Sequence, residues 1–257
     1  MARHRFNGAY FFKREFIVKV AISQSMLFPW VGLLEQVKLA DIFVHYDDVQ
    51  YSKGGFVNRV QIKTKNGIQW LTIPLKGLHL GQRINEVEIA PRSLWLDKNM
   101  AILRNGLSGA PYATDAIELA FNVFSHKYEN IGELARSSLL SLLSYLQLDQ
   151  QTIFIDVEDM NIRGNGSERV LSVVRELDGS TYISGHGGVN YLNHILFEQL
   201  GINVEYMDYS YRPYPQQHGQ FTPFVSSLDL IANCGHQGQQ YILPKTINWR
   251  EFTHESL

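Results

Sequence analysis

Residues 44–59 read VHYDDVQYSKGGFVNR and bring Asp47, Asp48, Gln50, Tyr51, Lys53, Asn58 and Arg59 into one short stretch. Adjacent carboxylates suit a hard cation such as Mg²⁺, which could bridge a diphosphate; the plainer reading is that one aspartate caps a turn and the other faces water. Lys53 and Arg59 could hold an anion, Arg bidentately, while Gln50 and Asn58 could read hydroxyls. A solvated hairpin surface explains the same residues equally well. A second candidate is ISGHGGVNYLNH (183–194), whose Gly185 and Gly187 would expose backbone amides to phosphate or carboxylate. It fits neither the dinucleotide fingerprint nor the P-loop. His186 is its candidate acid–base group, and His194 reads as a helix or core histidine. A third stretch, PYPQQHGQFTPFVSSLDLIANCG (213–235), places Tyr214, Gln216, His218 and Phe221 on a proline-stiffened loop that could wall a pocket, with Asp229 as an inward polar group. Cys234 reads as an inert buried thiol.

The elements that must position these residues alternate between strand and helix. FIVKVAIS (16–23) is β-branched and aromatic, QSMLFPW (24–30) is a loop, VGLLEQVKLA (31–40) has helical spacing, and DIFVHY (41–46) is a second strand. That is the size of a βαβ unit, and such sheets place ligands beyond the carboxyl ends of their strands. Gln24, Trp30 and the Asp47–Lys53 segment would all lie there. RVQIKTKNGIQWLTIPL (59–75) signals a hairpin about Lys65-Asn66-Gly67. INEVEIA (84–90) reads as a strand, 94–148 as helical, 152–159 as a strand, 167–177 as a helix, 180–184 as a strand, 191–201 as a helix, 203–209 as a strand and 225–235 as a short helix. The expectation is an α/β fold: a mostly parallel sheet flanked by helices, with an inserted antiparallel β-hairpin. Residues 1–15 read as an N-terminal extension and 16–257 as one domain.

The 257 residues carry a formal net charge of −2, so no basic footprint for nucleic acid is evident. The single cysteine excludes an internal disulfide and a Cys-rich zinc site and fits a cytoplasmic location. The apolar run after the basic N-terminus is interrupted by Lys19 and is too short to span a bilayer.

Taken together, ISQSMLFPWVG (22–32), the DDVQYSK–NR block (47–59), WLTIPL (70–75), YISGHGGVNYLNHILFEQLGI (182–202) and YPQQHGQFTPFVSSLDLIANCG (214–235) resemble the WbqC-like family of bacterial O-antigen and surface-polysaccharide clusters. The family motif positions carry over to Gln24, Pro29, Trp30, Gly32, Asp47, Asp48, Gln50, Lys53, Asn58, Arg59, Gly185, Tyr191, Gln216 and Asp229. Many members begin the first motif His-Gln-Pro, where this chain has Ser23, Gln24 and Ser25. If that His were the family's base, Gln24 or a base elsewhere must serve here.

The resemblance implies a transferase that modifies an amino sugar, nucleotide-linked, by glycyl, other aminoacyl or acyl transfer to its amine. Such chemistry needs a base and donors for an oxyanion, with His186 or Asp48 as base and Lys53, Arg59 and the GHGG amides as donors. On that reading Asp48→Asn and His186→Ala should abolish activity and leave folding intact. Two alternatives stand beside it: an ATP-dependent amide ligase or nucleotidyltransferase-like enzyme, and a non-catalytic carbohydrate-binding or scaffolding subunit.

Overall fold

The computed structural model describes residues 17–255; the expected extension over residues 1–15 lies outside them. In chain order the elements are β1 (Lys19–Ser23), α1 (Val31–Leu39), β2 (Ile42–His45), β3 (Arg59–Thr64), β4 (Gly67–Thr72), β5 (Leu75–Lys76), β6 (Glu88–Ile89), α2 (Leu96–Gly106), α3 (Ala113–Ser125), α4 (Ile131–Tyr145), β7 (Ile153–Asp156), α5 (Gly166–Glu176), β8 (Thr181–Ser184), α6 (His194–Gln199), β9 (Asn203–Met207), α7 (Ser227–Cys234), β10 (Thr246–Asn248) and α8 (Trp249–Glu255).

The main sheet has the order β10-β9-β8-β1-β2-β7. β9, β8, β1, β2 and β7 run parallel, and β10 closes one edge antiparallel. This is the expected α/β architecture, with β3 and β4 as the inserted hairpin; their register pairs Thr64 with Gly67, and Gly67 takes φ +98°, a conformation that suits glycine. Side chains alternate across the central strands, as the pleat requires. Val20 and Ile22 pack with Val170, Val173 and Val174 of α5 and Phe197 of α6 on one face. Ala21 and Phe43 join Leu33, Leu34 and Val37 of α1, with Leu139 and Leu142 of α4, on the other. A sheet buried on both faces explains the near-continuous apolar runs of β1, β2 and β8.

Some segments depart from expectation. Residues 84–90 are not one strand: a 3₁₀ turn over Ile84–Glu86 precedes the two-residue β6. Ile84 and Val87 are both buried at a spacing of three, and the Glu86 carboxylate accepts from the Arg83 amide at 3.0 Å, which favours the turn. The helix expected at 191–201 starts three residues later, because the Asn193 side chain accepts from the Leu196 amide and caps it there. β10 and α8 have no counterpart in the sequence reading. No helix among the described residues is long and apolar enough to cross a membrane.

β1 is the strand at which the order reverses. The chain passes from β1 to β2 on one side, whereas β8 returns to pair with β1 on the other and leads on to β9. Loops leaving the carboxyl ends of β1 and β8 therefore diverge, which opens a crevice between them.

Candidate functional site

That crevice is a cavity of about 930 Å³. Its floor and walls come from four loops. After β1 come Gln24, Met26 and Trp30; after β2, Tyr46, Asp48 and Gln50; at the start of α5, Gly164, Asn165 and Gly166; after β8, Gly185, His186 and Gly187. Tyr182, Tyr191, Tyr209 and Tyr211 supply most of the remaining aromatic surface. A volume in this range suits a cofactor-sized or drug-sized ligand.

The first loop is held under strain. Phe28 sits at φ +37°, a region bulky residues rarely occupy. Three contacts fix it: the Phe28 amide donates to Ser138 Oγ at 2.7 Å, the Ser226 hydroxyl donates to the Phe28 carbonyl at 2.8 Å, and the Ser227 amide donates to the Pro29 carbonyl at 2.9 Å. Trp30 then folds its indole over Gly32, where an added Cβ would meet the six-membered ring at 2.3 Å. The ring continues into an aromatic wall with Tyr209 at 4.8 Å and Tyr211 at 6.3 Å between centroids.

Asp47 and Asp48 diverge, so they do not form the expected Mg²⁺-binding pair. Asp47 is fully buried and outside the cavity lining. It accepts from the Ser25 amide at 2.9 Å and the Ser25 hydroxyl at 2.6 Å, and lies 3.3 Å from Arg136 Nε. Burial raises its pKa, while the Ser25 hydrogen bonds and Arg136 oppose the rise. Its role is to anchor the loop that carries Gln24. His45 completes the cluster at 3.2 Å from Ser25 Oγ, and burial pushes its pKa down to about 4, so the ring is neutral. Among the described residues no group of three or more His, Cys, Asp or Glu side chains is arranged to hold a metal ion.

Asp48 does line the cavity, but both its oxygens are taken by Arg169, at 2.9 and 2.5 Å. Arg169 also donates from Nε to the Ile162 carbonyl at 3.0 Å and lies over the Tyr46 ring at 4.9 Å. Such a carboxylate is not a free base; it orients a buried guanidinium. His186 is better placed for proton transfer. Its Nε2 donates to the Met207 carbonyl at 2.7 Å, which leaves Nδ1 as the ring nitrogen open to a proton. Gly188 lets this turn close on β8, since a Cβ there would meet Ser184 Oγ at 2.2 Å. Beside it lie Ser184, whose hydroxyl donates to the Gly185 carbonyl at 2.9 Å, and Tyr182 and Tyr191, whose pKa values burial raises.

Thus the structure gathers Gln24, Trp30, Asp48, Gln50, Gly185, His186, Gly187 and Tyr191 around one cavity. Ser23, which stands where the first family motif often has His, and Gly188 of the GHGG run also line it, whereas the remaining candidates from sequence lie outside. Tyr51 donates to Asn58 Oδ1 at 2.7 Å, Asn58 donates to the Ile73 carbonyl at 2.8 Å, and Arg59 bonds the Gly54 and Gly55 carbonyls while stacking on Trp70 at 4.2 Å. These contacts fasten the loop to the hairpin. Lys53 is exposed on that loop. Gln216 and Tyr214 both donate to Asp229 Oδ2, at 2.8 and 2.7 Å, and Lys63 donates to Gln216 Oε1 at 2.8 Å. His218 donates to the Gly106 carbonyl at 2.8 Å. This second network fixes the proline-rich loop rather than contacting the cavity. Arg169, Tyr46, Tyr209, Tyr211 and the Gly164–Gly166 turn were missed by sequence reasoning. Only the turn carried a signal, in the run Arg163-Gly164-Asn165-Gly166-Ser167 before a helix.

The model of the WbqC-like protein family matches residues 24–241, which include every residue named above as lining the cavity except Ser23. The uncharacterized protein Rv1507c of Mycobacterium tuberculosis (strain ATCC 25618 / H37Rv) is 33% identical over 228 residues, covering 87% of this chain and 97% of that protein. No solved structure matches. On the extent of these matches, the chain belongs to the WbqC-like protein family.

Proposed function

We propose that the chain is a transferase that acylates or aminoacylates the amine of a nucleotide-linked amino sugar in bacterial surface-glycan assembly. The observation that carries this reading is the cavity at the β1–β8 switch point, which combines four kinds of surface a nucleotide sugar requires. The Gly164–Gly166 turn opens α5, whose first amides lack intrahelical partners and favour a phosphate. The Asn165 side chain makes no capping hydrogen bond with α5, which leaves it to meet a ligand. Trp30, Tyr209 and Tyr211 offer faces to a base or sugar ring. Gln24 and Gln50 can read hydroxyls.

In the reaction, the sugar amine attacks the acyl carbonyl. A C–N bond forms, the bond from carbonyl to leaving group breaks, and the amine's proton passes to Nδ1 of His186. The amide of Gly187 is the donor in this turn for the charge on the carbonyl oxygen, the Gly188 amide being taken by the Gly185 carbonyl at 3.1 Å. Arg169, paired with Asp48 through both carboxylate oxygens, fixes the polar wall of the cavity.

A thermal-shift panel of UDP- and dTDP-linked amino sugars, ATP, coenzyme A and glycine tests the substrate class. A ligand at 100 times its Kd adds about 2.7 kcal/mol. Stabilisation by the nucleotide sugars is the expected result, with His186→Ala retaining the shift and losing turnover. A shift with ATP alone would replace this reading by the ligase.

A further inference from the structure

Behind Trp30 lies a second space that the polar chemistry of the main cavity does not use. It measures about 220 Å³ and is lined by Met26, Leu27, Pro29, Trp30, Phe56, Val60 and Phe224. Every one of these side chains is apolar. Met26 and Trp30 also line the main cavity, so these two side chains are a wall common to both spaces. The shared wall is set by the chain itself: the strained Phe28 turn and the small Gly32 fix where the indole stands. Leu27 and Val60 form a rigid floor, both essentially buried, with the Leu27 amide donating to the Phe56 carbonyl at 3.0 Å. Phe56 and Phe224 form a rim and remain 43% and 54% exposed. Large aromatic surface left open over a preformed apolar hollow is a costly arrangement unless a ligand covers it.

The geometry points to an acyl pocket. It takes the aliphatic chain of an acyl group carried by the same reaction whose polar partner occupies the main cavity, and in that respect rests on the proposed function. Its volume corresponds to roughly seven water-sized portions of about 30 Å³ each, which sets the chain at about seven heavy atoms. This choice separates the acyl alternatives left open above. Glycine has no side chain to fill an apolar hollow and brings an ammonium group that would be buried there without a partner. A medium-length aliphatic acyl group fills it and covers the Phe56–Phe224 rim.

The test uses straight-chain alkanols from butanol to nonanol, titrated against the full chain carrying ¹³C-methyl labels on Met, Leu and Val. Saturable shifts at Met26, Leu27 and Val60, with affinity rising about fourfold per methylene and levelling near seven heavy atoms, are the expected result. The double variant Phe56→Ala/Phe224→Ala removes the rim and should reduce the increment below twofold. Affinity that ignores chain length, shifts that avoid these three methyls, or an unchanged increment in the double variant would each overturn the pocket. UDP added to a separate, glycine-¹⁵N-labelled sample reports on the polar cavity through Gly164 and Gly166. Alkanol binding without a UDP response supports the acyl pocket and removes the nucleotide reading; a UDP response without alkanol binding does the reverse.

Discussion

Replacing Asp48 by Asn tests whether this carboxylate acts as a base or as the holder of Arg169. The guanidinium of Arg169 is 7% exposed and meets both Asp48 oxygens, while its Nε is satisfied by the Ile162 carbonyl. Asp48→Asn keeps one acceptor but removes the counter-charge from a buried cation. Breaking such a pair by removing one partner costs about 3–5 kcal/mol, and the surviving acceptor places this variant near the lower end. The pair Lys76–Glu88 is an internal control: its 2.6 Å separation is similar, but its side chains are 64% and 59% exposed, so Glu88→Gln should cost less than about 1 kcal/mol. Urea unfolding of both variants measures the difference. Near 3 kcal/mol, Asp48→Asn should also lower Tm by roughly 6–12 °C. Adding Arg169→Met to it should restore part of the loss, because the uncompensated charge is then gone. Equal, sub-kcal effects for Asp48→Asn and the control would refute the buried pair and return Asp48 to the role of a candidate base. Asp48→Asn is therefore expected to lower stability, whereas His186→Ala, at an exposed residue, is expected to leave it little changed.

Gly32→Ala forces the Trp30 indole from its seat, and overpacking of this kind costs about 1–3 kcal/mol; the fluorescence spectrum should change with stability, and an unaltered indole environment would count against the placement. Glu35 is buried in α1, and burial pushes its pKa up to about 7. Its protonated form is favoured by the fold, so the associated stability is complete below about pH 4.5 and is lost as pH rises through 7. Relative to the native chain, Glu35→Gln should therefore gain up to about 3 kcal/mol between pH 4.5 and 8, read from urea unfolding along that range; parallel curves would contradict it. Ser25→Ala removes both the hydroxyl donated to Asp47 and the contact with His45. It should cost about 1–3 kcal/mol and weaken ligand binding through the Gln24 loop; a variant of native stability would show that Asp47 needs no such anchor.

The fold was largely legible because its signals are local. Apolar β-branched runs and helical spacing located the central parallel strands, α1 and α5, and Lys65-Asn66-Gly67 located the hairpin. The segment at 84–90 failed because a short turn and a short strand share its buried positions. Half of the candidate site residues line the cavity. Gln24, Trp30, Asp48, Gln50, Gly185, His186, Gly187 and Tyr191 all fall beyond strand ends, where parallel sheets bind ligands. Asp47, Tyr51, Asn58, Arg59, Gln216 and Asp229 carry the same kinds of side chain but spend them on internal hydrogen bonds. Sequence alone cannot separate these groups, because donors and acceptors look alike whether they face a ligand or another loop. Arg169 was invisible for the complementary reason: its partner lies 121 positions away.

The central claim, that the β1–β8 crevice is the substrate site for a nucleotide-linked sugar, is tested most directly by glycine-selective ¹⁵N labelling. Titration with UDP-linked amino sugar should shift the amides of Gly164, Gly166, Gly185 and Gly187, which line the cavity, and leave Gly67, Gly77 and Gly81, which do not line it, in place. Saturable shifts confined to the first set are the predicted result. Binding that moves only the second set, or no response in the first at millimolar ligand, would contradict the account.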